Sequence, residues 1–92
     1  MSITVGNPTV LPFDVAVTNT AAAISTDSNQ RDSVTLLADS NNTDFIKVGN
    51  SVLQTFPLVP GAAVEITKTK LNLIYAVSNS GSQTLHVICG GF

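Results

Sequence analysis

A chain of 92 residues with a net charge of −2 and 11% charged side chains has room for one domain and carries an unusually neutral exterior. Its four scattered cations, Arg31, Lys47, Lys68 and Lys70, cannot release many phosphate counterions, which argues against nucleic acid, and no apolar run reaches the length that spans a bilayer. A single cysteine, Cys89, excludes an intrachain disulfide, and a single histidine, His86, leaves zinc without its usual ligand set.

A chain this short buries roughly 60–65% of the surface its unfolded form exposes, so its core is thin. Small domains supplement thin cores with disulfides, metals or oligomerisation. Oligomerisation is the device left here. Ser, Thr and Asn make up 28 of the 92 residues, and such an uncharged surface is easy to desolvate against another subunit. The first residues, Met1-Ser-Ile-Thr-Val-Gly-Asn-Pro8, lack the basic and apolar segments of a signal peptide, so assembly in a bacterial cytoplasm is expected, with Cys89 reduced.

Along the chain, residues 1–12 read as an extended arm, because Pro8 and Pro12 each push the preceding residue toward β or polyproline geometry. Ile3, Val5, Val10 and Leu11 make the arm apolar, so it either covers its own sheet edge or reaches a neighbouring subunit. Residues 13–92 form the domain. Phe13, Val15 and Val17 alternate with Asp14, Ala16 and Thr18, the pattern of a half-buried strand. Ala21–Ser25 is a weaker strand or a short helical turn, and residues 26–30 are a polar loop.

Val34, Leu36 and Ala38 then face one way, with Ser33, Thr35 and Leu37 on the other side. Asp39–Asp44 reads as a hairpin loop. Ile46 and Val48 mark the next strand, Gly49-Asn50 a turn, and Val52–Phe56 a weaker strand. In Pro57-Leu-Val-Pro60-Gly61, Pro60 presets the first central torsion of a type II turn and Gly61 takes the positive φ at the second. Val64 and Ile66 point inward against Glu65 and Thr67, and Lys68–Lys70 sits at the strand end or in a turn. Leu71–Val77 reads as a central strand covered on both faces, or covered by a partner on one, residues 79–82 as a turn, and the last strand sets Leu85, Val87 and Cys89 against His86 and Ile88.

Seven or eight short strands without a helix predict an all-β fold, an antiparallel β-sandwich of jelly-roll-like topology. The chemistry-bearing residues are few. Asp39–Asp44 resembles the start of a calcium loop, but the sixth and twelfth positions hold Asp44 and Asn50 instead of Gly and Glu, so a plain turn is expected. His86 has no nucleophile elbow to serve, and Cys89 has no adjacent cation to lower its pKa. No catalytic residue, no cofactor site and no metal site is expected. Phe92, a terminal aromatic, is suited to plug a pocket on a neighbour.

The segments Arg31-Asp-Ser-Val-Thr-Leu-Leu, Asp44-Phe-Ile-Lys-Val-Gly49, Leu58-Val-Pro-Gly61, Ile74-Tyr-Ala-Val77 and Leu85-His-Val-Ile88 resemble small virion proteins of tailed bacteriophages over about residues 31–88. That resemblance implies a structural protein of the virion, found on the capsid surface. It would act as a decoration or cement protein whose partner is the major capsid protein and which forms homo-oligomers, commonly trimers. Ile3, Val5, Val10, Leu11 and Phe92 would then carry the contacts. The alternative is a head-fibre, collar, tail or baseplate module that attaches to a host, with loops 26–31, 39–44 and 78–83 as the contact surface.

Overall fold

The computed structural model describes residues 11–90. They form eight strands in two sheets: β1 (Leu11–Val17), β2 (Ala22–Ala23), β3 (Gln30–Ala38), β4 (Ile46–Gly49), β5 (Gln54–Leu58), β6 (Ala63–Lys70), β7 (Tyr75–Ser78) and β8 (Gln83–Gly90). Sheet A has the order β1-β8-β3-β6 and sheet B the order β2-β7-β4-β5, all antiparallel. The pairs β1·β8, β2·β7, β3·β6 and β4·β5 are those of one long hairpin, the first four strands against the last four, rolled up into two layers. This is the jelly-roll arrangement, and it confirms the all-β sandwich expected from the strand rhythm.

Hydrophobic alternation sets the faces. Val34, Leu36 and Ala38 of β3, Leu85, Val87 and Cys89 of β8, and Ile46, Val48, Leu58 and Ala76 of sheet B are buried between the layers. A one-residue slip would turn each of these sets outward, so the register follows from the pattern. The turn Val59-Pro60-Gly61-Ala62 closes with the Ala62 N–H on the Val59 carbonyl at 2.8 Å, and Gly61 sits at φ +87°. That is the type II geometry read from the sequence. The tip of the rolled hairpin is the β4–β5 turn, where Asn50 N–H donates to the Leu53 carbonyl at 3.0 Å and the register shifts at Val48/Gly49.

Three expectations need correction. Leu71–Val77 is not one strand: Leu71–Leu73 is a 3-10 turn, and β7 begins at Tyr75. The buried faces of Leu71 and Ile74 close the end of the sandwich, and that burial accounts for the long apolar run. Asp39–Asp44 does not close a hairpin, because β3 and β4 belong to different sheets, so the loop crosses between layers. Pro57 and Leu58 belong to β5; a proline is admissible there because β5 is an edge strand.

Lys68–Lys70 forms the end of β6, as expected, and Lys68 lies at φ +56°. Its partner row on β3, Asp32, is skipped in the pairing of Arg31 with Thr69 and Ser33 with Thr67. The local irregularity reverses the in-and-out phase, so Arg31 is buried where simple alternation from Val34 would expose it. Asp27, four residues earlier, receives the Arg31 guanidinium in a short ion pair.

Candidate assembly surfaces

The two ends of the sandwich are closed differently. At one end, the crossing loops 39–45 and 78–84 are zipped together by side-chain amides. Asn42 accepts from the Thr84 N–H at 2.8 Å and donates to the Thr84 carbonyl at 2.9 Å, so it acts as one more rung beside β8. Buried Gln83 accepts from the Thr43 N–H at 3.0 Å and donates to the Ser80 carbonyl at 2.9 Å. Asp44 receives Asn79 and Ser80 at 2.9 and 2.7 Å, and these donors, Asn79 first, hold its carboxyl below the usual carboxylate range. Asp39 likewise spends one oxygen on the Asn41 N–H at 2.8 Å, a plain turn contact.

Loop 26–31 lies at the opposite end, beside the last residues of β6 and β8, as the pairs Gln30–Lys70 and Ser33–Gly90 require. The three loops expected as one contact surface are therefore not brought together.

On the outer face of sheet A, the cross-strand rows Asp14–His86–Leu37–Ala63 and Pro12–Ile88–Thr35–Glu65 lie side by side. His86 Nδ1 is 2.7 Å from Asp14 Oδ1 and its Nε2 is 3.0 Å from Asp39 Oδ2, so the ring ties the edge strand β1 to the end of β3. The Asp14 carboxylate, then that of Asp39, raises the His86 pKa. The Asn41 N–H, and after it His86, holds Asp39 low. Both ring nitrogens face carboxylates, an arrangement that favours imidazolium; a nucleophilic triad would reserve one nitrogen for a hydroxyl or thiol. Leu37 and Ile88 flank His86 as exposed apolar side chains. Both positions were legible as outward-facing in the sequence, and their apolar character there was the available signal.

The second apolar region lies where the two sheets gape along β5 and β6. Val48 and Phe56 from sheet B, Val64 and Ile66 from sheet A, and Leu73 and Ile74 from the 3-10 turn line an open groove between the layers. Phe56 and Leu73 are 51% and 57% exposed, so the sandwich does not cover its own filling on this side. Nearby, Val52, Leu53 and Val59 are also exposed. Sequence reading missed Phe56 and Leu73, because apolar strand residues read as core until the edge they occupy is known.

The four sheet edges are unequal. β1 carries Pro12, β5 carries Pro57, and β2 is two residues long. These are the features with which proteins blunt an edge against added strands. β6 has eight residues and no proline.

Of the residues expected to make contacts, Ile3, Val5, Val10 and Phe92 lie outside the described residues. Leu11 opens β1 opposite Cys89, and Pro12 follows it into the sheet opposite Ile88. No helix among the described residues is long and apolar enough to cross a membrane.

The fold and these surfaces define a single-layered-pair jelly roll with open apolar edges. No family model matches the chain, and a comparison with characterised proteins finds no match in sequence. Among solved structures, a chain from Bacillus endospore appendages, described as a novel family of disulfide-linked pili, has a similar fold. The TM-score is 0.52 with 16% identity, across 100% of this chain and 97% of that one. At that identity the likeness speaks to the fold.

Proposed function

We propose that this chain is a non-enzymatic structural subunit that works as one of many identical copies in a surface assembly. The observation that carries this reading is the uncovered apolar groove beside a long, proline-free strand edge, open along Ala63–Thr67 ahead of the lysines that end β6, a combination that a solitary domain leaves as a liability and an assembling subunit uses. The fold likeness to a chain of endospore-appendage pili supports it, since that chain comes from a polymer of subunits. His86, held between two carboxylates, serves here as a structural tie.

The narrower form of the proposal places the assembly on a phage capsid. The chain would decorate and cement the shell as a homo-oligomer, a trimer by the resemblance, contacting the major capsid protein through Ile3, Val5, Val10, Leu11 and Phe92. Its support is the sequence resemblance over residues 31–88. A head-fibre, collar, tail or baseplate position is the alternative within the same virion.

Light scattering with electron microscopy of the purified full chain tests the broad reading. Multiples of the subunit mass, as closed rings or as filaments, are expected. A strictly monodisperse monomer across the micromolar to millimolar range refutes self-assembly. Mixing the chain with empty phage heads then tests the narrower form: many copies spread over the shell favour decoration, whereas filaments without shell binding favour a pilus-like polymer.

A further inference from the structure

The groove and the β6 edge lie side by side, and together they specify what fits there. An added strand would pair its backbone with β6 and drop every second side chain between the sheets, where Val64, Ile66, Phe56 and Leu73 wait. Such a strand must be short, free of charged side chains on its inward face, and apolar at alternate positions. Residues 1–10 of this chain contain no charged side chain, and Ile3-Thr4-Val5 has that alternation.

Length decides which copy supplies it. β1 starts at Leu11, in the same cross-sheet row as Ile66, through the pairs Leu11–Cys89, Val34–Cys89 and Val34–Ile66. Leu11 and Ile66 are three strand spacings apart, and a strand added beyond β6 lies a fourth away, about 19 Å measured straight across the sheet. With Val5 in the groove, six residue steps lead from it to Leu11, about 20–22 Å at full extension. That leaves almost nothing for a path around the end of the sandwich, which the 3-10 turn and loop 26–31 close, with Asn72 N–H bonded to the Asp27 carbonyl at 3.1 Å. A second copy has no such constraint.

Resting on the self-assembly proposed above, we infer that the groove between β5 and β6 receives the segment around Ile3 and Val5 of a neighbouring copy, as a strand added to β6. The groove is the acceptor and the first residues are the donor, so each copy carries both halves of a head-to-tail contact. Contacts of this heterologous kind close into rings or run on as filaments.

Engineered cross-linking of full-length chains tests it. Leu73→Cys sits at an exposed position of the groove, and Leu37→Cys, on the outer face of sheet A, is the control. A Val5→Cys chain mixed with the Leu73→Cys chain under mild oxidant should give at least tenfold more inter-chain product than with the Leu37→Cys chain. Adding Phe56→Glu to the Leu73→Cys chain should lower that product about tenfold, with circular dichroism unchanged. Equal yields at positions 73 and 37 overturn the assignment. So does a Val5→Cys/Leu73→Cys double variant that closes on itself as a monomer. If cross-linking fails while the parent chain still assembles, the groove assignment falls and self-assembly stands; if the parent is monomeric, both fall.

Discussion

Gly49 offers a sharp test of how the β4–β5 hairpin is held. An alanine Cβ there would lie 2.0 Å from the Leu53 carbonyl oxygen and 2.9 Å from the Gln54 Cα. Both are backbone atoms, so no side chain can swing aside. The Leu53 oxygen also accepts the Asn50 N–H that closes the turn, so moving it breaks that bond. Overpacking costs about 1–3 kcal/mol and the lost hydrogen bond about 1 kcal/mol, which gives roughly 2–4 kcal/mol. A domain of this size holds about 5–14 kcal/mol in total. At about 4–8 °C per kcal/mol, Gly49→Ala should lower Tm by roughly 10–30 °C.

Two comparison variants isolate the cause. Gly61→Ala meets no close atom, the nearest being 4.0 Å away, so it bears only the left-handed penalty at φ +87°, about 1–2 kcal/mol. Gly81→Asn has open space and a φ of +60° that asparagine tolerates, and should fall within about 0.5 kcal/mol of the parent. Thermal melts by circular dichroism should therefore rank Gly49→Ala lowest, Gly61→Ala next and Gly81→Asn near the parent. Gly49→Ala melting within a few degrees of Gly81→Asn would refute the clash and the hairpin geometry behind it.

Leu36→Ala, at a fully buried position of β3, should cost about 2–5 kcal/mol in urea unfolding with an unchanged slope; a loss under 1 kcal/mol would contradict the closed interior. Gln83→Leu keeps the volume but strands the Thr43 N–H and the Ser80 carbonyl, a loss of about 1–3 kcal/mol; faster amide exchange at Thr43 is the local readout. The His86 pKa is raised above 6.5 in the folded chain, so the stability it contributes is fully present below about pH 6.5 and is lost as pH rises through the folded value. A neutral ring has one N–H, so one of the two carboxylates then loses its donor. Asp27, Asp39 and Asp44 are held below 3.8, so their contribution is present above that value and disappears as pH falls beneath it. Tm should thus be highest between about pH 4 and 6.5, and His86→Gln should flatten the alkaline side and, through the partner it removes from Asp39, weaken the acid side to a smaller extent. An unchanged alkaline slope in that variant would remove His86 as the cause.

The all-β class, the type II turn at Pro60-Gly61 and the inward faces of β3, β6 and β8 were legible in the sequence, because each depends on residues that are neighbours along the chain. A period of two and a Pro-Gly pair act locally. The same period placed Leu37, His86 and Ile88 outward, but the row that joins His86 to Asp14 and Asp39 spans 72 and 47 residues, and only strand pairing creates it. The phase reversal at Lys68 was invisible for the opposite reason: it overrides local alternation to bury Arg31 beside Asp27.

By itself, then, the amino-acid order determined that the chain forms short strands around one thin apolar layer, since alternation and turn chemistry act within a few residues. Tertiary structure decided which strands lie at the edges. That depends on how the long hairpin rolls, and it is the rolling that leaves Phe56 and Leu73 uncovered beside β6 instead of sealed in the core.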